Sequence, residues 1–413
     1  MDKNPVTLKF NIDKVRSDFP ILHRKVHNKP FVYFDNAATT QKPAAVMECM
    51  DAVYRETNSN IHRGVHFLSD LTTNQFEQAR ETVRRYINAR HDHEIIFTAG
   101  TTASINLVAF SFGEKYVHKG DEIIISAMEH HANIIPWQML CERKSAILKI
   151  IPMSDNGELM IGEFEKLISP KTRIVSVTHV ANSIGTKNPV KEIIDIAHRS
   201  GVPVLVDGAQ AVQHEKVDVR EIDADFYAFS GHKMYGPTGI GVLYGKEKFL
   251  EEIPPYQTGG EMVDKVSFEK TTFNRLPFKF EAGTPNYVGA IGMAAALNYL
   301  EETGLEEIAV YEKDLLEYGT MRLREIDRLH LYGQAEHKIS VLSFLLEDIH
   351  PYDAGMIIDK YGIAVRTGNH CAQPVMERFG IRGTIRASLS FYNTHEEIDR
   401  LCEAILKVKQ MFE

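Results

Sequence analysis

Short apolar runs alternate along this chain with amphipathic stretches. Seven runs stand out: "EIIFTAG" (Glu94–Gly100), "DEIIISAMEH" (Asp121–His130), "AILKIIPM" (Ala146–Met153), "TRIVSVTHVAN" (Thr172–Asn182), "VPVLVDGAQ" (Val202–Gln210), "ADFYAFSGHK" (Ala224–Lys233) and "GIGVLYG" (Gly239–Gly245). They are rich in Ile and Val and apolar on both faces, as buried strands of a mostly parallel sheet are. Helical spacing lies between several of them, as in "NPVKEIIDIAHRS" before Gly201. This alternation predicts an α/β domain with a doubly wound, mostly parallel seven-stranded sheet. The pattern changes around Pro285, where "NYVGAIGMAAALNYLEETG" and "LEEIAVYEKDLLEYGTMRLREI" read as successive helices. Strand-like runs follow ("ISVLSFLLE", "IAVRTG", "TIRASLSFY"), then a last helix ending "EEIDRLCEAILKVKQMFE". We therefore expect a large domain over residues 29–300 and a smaller α+β domain over 301–413.

Composition narrows the class. At 413 residues the chain is too long for one core, and about two domains are expected. A 44% apolar and 25% charged composition is ordinary for a globular protein. Net charge is −9 with the signs mixed, so no basic face points to nucleic acid. No apolar run approaches the length of a membrane span, and the first residues lack a secretory h-region, so the expected location is the cytoplasm. Four scattered cysteines without a CxxC pair fit free thiols in a reducing compartment.

Ligands of open α/β sheets bind beyond the carboxyl ends of the strands, so the residues that follow each run carry the chemistry. Gly100, Thr101 and Thr102 follow the first run. They suit either an anion at a helix start or an ordinary threonine cap. His130 and His131 follow the second; they could ligate a metal, although no third ligand is spaced for it, or stack on an aromatic ring. Asn182 follows the fourth run, Asp207 and Gln210 the fifth, and Lys233 the sixth. A carboxylate at a buried strand end is costly unless it meets a cation.

One ligand accounts for these together. Pyridoxal phosphate (PLP) needs a lysine for its Schiff base, an acid facing its pyridinium nitrogen, a phosphate cup and often a stacking partner. Lys233, Asp207, the Gly100–Thr102 turn with Ser230 and His232, and His130 supply them in turn. Other motifs fail. "GPTGIGV" leads into a strand instead of opening a helix, and no P-loop exists. "HRGVH" (His62–His66) has zincin-like histidine spacing but lacks the glutamate. No metal site is expected.

Many patterns in order resemble those of SufS-type cysteine desulfurases, in the class V aminotransferase group of fold-type I PLP enzymes. They include "DNAATTQKP", "HRGVH", "GTTASIN", "MEHHANIIPWQML", "THVANSIGTKNPV", "VDGAQA", "SGHKMYGPTGIG", "FEAGTPN", "YGIAVRTGNHCAQP" and "YNTHEEID". The resemblance places residues 1–28 with the smaller domain. It implies PLP on Lys233, Asp207 at the ring nitrogen, His130 on the ring face and Gln210 at the phenolic oxygen. Thr101, Thr102, Ser230 and His232 would bind the phosphate. Thr284 would reach the phosphate of a second subunit, and Arg63 would cross the same interface, making a homodimer. Asn182, Arg366 and His370 would lie at the substrate, and Arg386 would clamp its α-carboxylate, a task that suits a guanidinium fork.

Cys371 decides the reaction. It lies in a polar Gly/Asn/His turn after a predicted strand, a better setting for a reactive thiol than an apolar helix face. Cys49, Cys141 and Cys402 fit helix faces. A Cys371 thiolate could attack the sulfur of L-cysteine, leaving L-alanine and an enzyme persulfide. His130 or Lys233 could move protons. The resemblance further implies a sulfur-acceptor protein of the SufE or SufU type and a role in iron–sulfur cluster assembly. It usually carries two histidines before the cysteine; here the first is Asn369. A selenocysteine lyase, taking L-selenocysteine, or another class V aminotransferase is the alternative. A non-catalytic scaffold would want convergent cysteines.

Overall fold

All seven runs form one sheet in the computed structural model, which describes residues 10–412. The part of the N-terminal expectation that falls on residues 1–9 lies outside them. In chain order the strands are β1 (Ile95–Thr98), β2 (Glu122–Ser126), β3 (Ile147–Ile151), β4 (Thr172–Thr178), β5 (Val204–Asp207), β6 (Phe226–Ser230) and β7 (Gly241–Gly245). Their spatial order is β1-β7-β6-β5-β4-β2-β3. Only β7 runs antiparallel to its neighbours. The carboxyl ends of the other six therefore open on one edge of the sheet.

Both faces are covered, which is why the strands read as continuous apolar runs. Ile124, Val175, Val206, Phe229 and Val242 pack on one side. Ile123, Ile174, Leu205, Ala228 and Leu243 alternate onto the other. Each of these Ile, Val, Leu and Phe side chains contributes about 1.5–3 kcal/mol of burial. β3 departs from the expectation, since Ile147 and Ile150 remain 50% and 44% exposed. It is one of the two edge strands, paired only with β2 among the described residues.

Beyond the helix Tyr287–Thr303, Leu305–Arg324 leads into a four-stranded antiparallel sheet ordered Leu329–Tyr332, Val341–Leu346, Thr384–Ser388, Arg366–Gly368. The helices Pro351–Lys360 and His395–Phe412 share its core of Leu342, Phe344, Ile385, Ile398 and Ile405. The run "IAVRTG" is split. Ile363–Ala364 pairs in parallel with Val32–Tyr33, and only Arg366–Gly368 joins the antiparallel sheet. The N-terminal helix Ile12–Ser17 is held by Arg16, which reaches Glu397 (2.9 Å) and the carbonyl of Tyr392. No helix among the described residues is long and apolar enough to cross a membrane.

Candidate active site

A cavity of about 220 Å³ opens at the carboxyl ends of the strands. It is lined by Thr101, Thr102, His130, Asn182, Asp207, Gln210, Ser230, His232, Lys233, Arg366, His370, Cys371 and Arg386. Residues as far apart in sequence as Thr101 and Arg386 (285 positions) thus meet at one place. Thr284 and Arg63 do not line the cavity: both are exposed, and Arg63 pairs with Glu261 at 3.0 Å.

The phosphate-like corner is built by close backbone approach. Gly100, with φ of +144°, turns β1 into the helix Thr101–Tyr116. A β-carbon on Gly241 of β7 would lie 2.5 Å from Gly100 Cα, so only glycine lets the strand ends meet there. Ser230 Oγ accepts from Thr101 N (2.8 Å) and shares a hydrogen bond with Thr101 Oγ1 (2.7 Å). Hydroxyls and the positive end of a 16-residue helix thus face the cavity together.

Lys233 ends the single helical turn Gly231–Lys233 after β6. The "DNAATTQKP" segment fixes this turn from behind: Thr40 N, Thr39 Oγ1 and Lys42 Nζ all donate to the His232 carbonyl at 2.9–3.1 Å. Thr40 Oγ1 also accepts from Tyr235 N (2.8 Å). Asp207 closes β5 with 4% exposure and one hydrogen bond, from Ala209 N (3.0 Å). Burial pushes its carboxyl up, while Lys233's charge pulls it back. Burial pushes the Lys233 amine down, partly offset by Asp207. The two make no ion pair, so a cationic group is wanted beside Asp207.

His130 Nδ1 accepts from Ala132 N (3.0 Å), which leaves Nε2 to carry the proton of the neutral ring. Burial and the charge of Lys233 hold its pKa down at about 3. His130 therefore stays neutral above pH 5. We expect its ring resonances to be flat from pH 5 to 8 by NMR; a titration near pH 6.5, the ordinary histidine value, would refute this.

Two arginines on paired strands of the four-stranded sheet reach the other side of the cavity. Arg386, 1% exposed, donates to the Asn182 carbonyl (3.0 Å) and to Asp35 Oδ1 (3.0 Å). Arg366 stands 3.6 Å from the other Asp35 oxygen. Asp35, quoted in its motif without a role, thus braces both arginines. Cys371 is the half-exposed thiol on the cavity, whereas Cys49, Cys141 and Cys402 sit on helices, their thiols pushed up by burial, to about 11 for the last two.

Neither histidine of "HRGVH" is a ligand. His62 Nε2 meets Glu77 at 3.0 Å, and His66 Nδ1 caps the helix Phe67–Tyr86 by accepting from Ser69 N. His131 is used in packing against the Cys371 turn. No three metal-ligating side chains cluster among the described residues.

Pyridoxal phosphate fits this donor set. Asn182 Oδ1, His370 Nδ1 and Arg386 Nε are buried without partners around the cavity, and an amine, a nearly bare carboxylate and a hydroxyl-lined helix start face it.

Such a fold and site define a class V aminotransferase-type PLP enzyme, and the aminotransferase class-V family pattern matches residues 32–401. A probable cysteine desulfurase of Halalkalibacterium halodurans is 50% identical over 97% of this chain and 99% of its own length. A cysteine desulfurase of Synechococcus elongatus is also 50% identical, and the chain spans 64% of that relative. Among solved structures, the S-sulfonic acid form of the cysteine desulfurase CsdA from Escherichia coli superposes with a TM-score of 0.90 at 38% identity, covering 97% of this chain and 99% of that one. The apo cysteine desulfurase from Thermococcus onnurineus NA1 gives 0.92 at 38% identity, over 99% and 100% of the two chains. The chain belongs to the class V cysteine desulfurase family.

Proposed function

We propose that this protein is a PLP-dependent cysteine desulfurase that passes the sulfur of L-cysteine to Cys371 as a persulfide. The observation that carries this reading is the shared cavity: the amine of Lys233, the carboxylate of Asp207 and the thiol of Cys371 all line it. When bound, PLP supplies an electron sink that labilises the substrate's Cβ–Sγ bond. Thr101, Thr102, Ser230 and His232 would hold its phosphate, Asp207 its ring nitrogen and His130 its ring face. Gln210, whose Nε2 is fixed on the Ala37 carbonyl (2.6 Å), would meet its phenolic oxygen. Arg386, braced by Asp35, orients the substrate carboxylate with Arg366, Asn182 and His370 around it.

The Cys371 thiolate attacks the substrate sulfur. A new S–S bond forms as Cβ–Sγ breaks, and a proton replaces sulfur on Cβ. L-cysteine plus enzyme thiol gives L-alanine plus enzyme persulfide, with no outside oxidant. Lys233, its amine pushed toward the free base, moves protons at the substrate.

We also propose a homodimer. Val65 and Phe268 are fully exposed and Phe67 is 76% exposed. Arg63 lies two residues from Val65 and is exposed, as is Thr284, and in a dimer each could reach the cavity of the other copy. A sulfur-acceptor protein of the SufE or SufU type and iron–sulfur cluster assembly are the context this chemistry suits.

The test is one turnover with L-cysteine and no reductant, followed by mass spectrometry of the cysteine peptides. The expected result is one extra sulfur on the Cys371 peptide and an equal amount of alanine. Alanine without sulfur on Cys371, or turnover of selenocysteine alone, would overturn the reading.

A further inference from the structure

The turn that carries Cys371 has an unfavourable backbone. Asn369–Ala372 closes through Ala372 N to the Asn369 carbonyl (2.9 Å), and its two central residues, His370 and Cys371, have φ of +54° and +56°. That sign pattern belongs to a type I′ turn, which favours Gly and Asn at both central positions. Histidine and cysteine each carry a β-carbon that disfavours it. Within the turn, Asn369 Oδ1 accepts from Cys371 N (3.1 Å), which offsets part of this.

The rest comes from the other domain. Asn182, after β4, donates Nδ2 to the His370 carbonyl (2.8 Å). His131, after β2, donates its main-chain N–H to the Cys371 carbonyl (2.7 Å). The His131 ring accepts at Nε2 from Gln373 N (3.3 Å), at the start of the next helix, Gln373–Arg378. Three bonds thus grip residues 370, 371 and 373 from the strand ends of the large sheet. On the small-domain side, His370 Nε2 meets Thr384 Oγ1 (2.9 Å).

We propose that His131 and Asn182 are positioning residues that clamp the Cys371 turn to the large domain and so hold the thiol in the cavity. The proposal rests on the reading of Cys371 as sulfur acceptor, and adds how its thiol is presented. A thiol serving both a buried substrate and an external acceptor needs a cavity-facing state that can be left. The clamp sets the balance between them, and its loosening favours the outward state. The His131 ring is the cleaner handle, because its one hydrogen bond goes to Gln373 N; it adjoins His130 (ring centroids 6.2 Å apart), which is why the cofactor band is read alongside.

The experiment is iodoacetamide labelling of the holoenzyme, read peptide by peptide. In His131→Ala the labelling rate of Cys371 should rise about fivefold, as expected for one lost hydrogen bond of ordinary strength. Labelling of Cys49, Cys141 and Cys402 and the visible cofactor band should not change. His131→Gln, which keeps a side-chain acceptor for Gln373 N, should return Cys371 to the wild-type rate. Asn182→Asp, which loses the donor to the His370 carbonyl, should raise Cys371 labelling as well. Should His131→Ala fail to fold, the Asp variant alone decides. An unchanged Cys371 rate, or a rise shared by all four thiols, overturns the clamp. Labelling needs no turnover, so this failure is distinct from failure of the desulfurase reading, which would appear as alanine formed with no sulfur on Cys371.

Discussion

Lys233→Ala should no longer turn over L-cysteine, and any cofactor it holds should be released on denaturation and gel filtration. Among the described residues Lys233 is the one amine on the cavity, and its side chain makes no ion pair with Asp207. Loss of a positioned proton-transfer group alone costs about 10²–10⁴-fold in rate. On the proposed reading the covalent anchor of the cofactor goes with it, so the fall should exceed that range. Lys233→Arg separates charge from nucleophile. Arginine keeps the cation but cannot be deprotonated in a protein, so it should be as inactive as alanine. A visible band that survives denaturation and gel filtration in either variant would show that the anchor lies elsewhere. Added methylamine should restore some turnover to Lys233→Ala and none to Lys233→Arg, because the arginine side chain still fills the place an external amine would take.

The sequence made much of this site legible because the sheet is so regular. Six strands run the same way, so whatever follows each apolar run collects at one edge. His130, Asn182, Asp207 and Lys233 could be listed from that rule before their contacts were seen, and the structure brings them to one cavity. The rule says nothing about contacts made by loops from elsewhere. Asp35 lies 351 residues from Arg386 and was visible only as part of a motif. Asn182, expected at the substrate, also holds the His370 carbonyl, a bond that no spacing in "THVANSIG" announces. A strand run such as "IAVRTG" looks continuous, yet Val365 separates pairing to two different sheets, because periodicity carries no information about partners. Arg63 and Thr284 remain exposed in one chain, and the roles their motifs imply need a second copy.

Glu281→Ala should destabilise the fold by about 3–5 kcal/mol, the largest single loss of stability we expect, measured by chemical denaturation. Its partner Arg80 is 1% exposed and lies 201 residues away in sequence. The two form a paired fork, Arg80 Nη1 and Nη2 meeting the two Glu281 oxygens at 2.7 and 2.9 Å. The Arg80 guanidinium also lies over the rings of Phe76 and Phe97, 5.0 and 4.8 Å from their centroids. Removing Glu281 leaves that cation buried with only the half-exposed Glu77 beside it (2.9 Å). The pair also closes the free edge of β1. Glu281 accepts from Phe97 N (2.8 Å), and Arg80 donates to the Ile95 carbonyl (2.8 Å). The double change Arg80→Met with Glu281→Leu removes the unpaired charge and should recover part of the loss. It should not recover all of it, since Phe97 N and the Ile95 carbonyl are left without partners at the strand that leads into Gly100 and Thr101. PLP affinity should fall with that strand even where stability returns. A double variant as stable as the wild type with unchanged PLP affinity would show that the pair only neutralises itself, and that the β1 edge needs no closing.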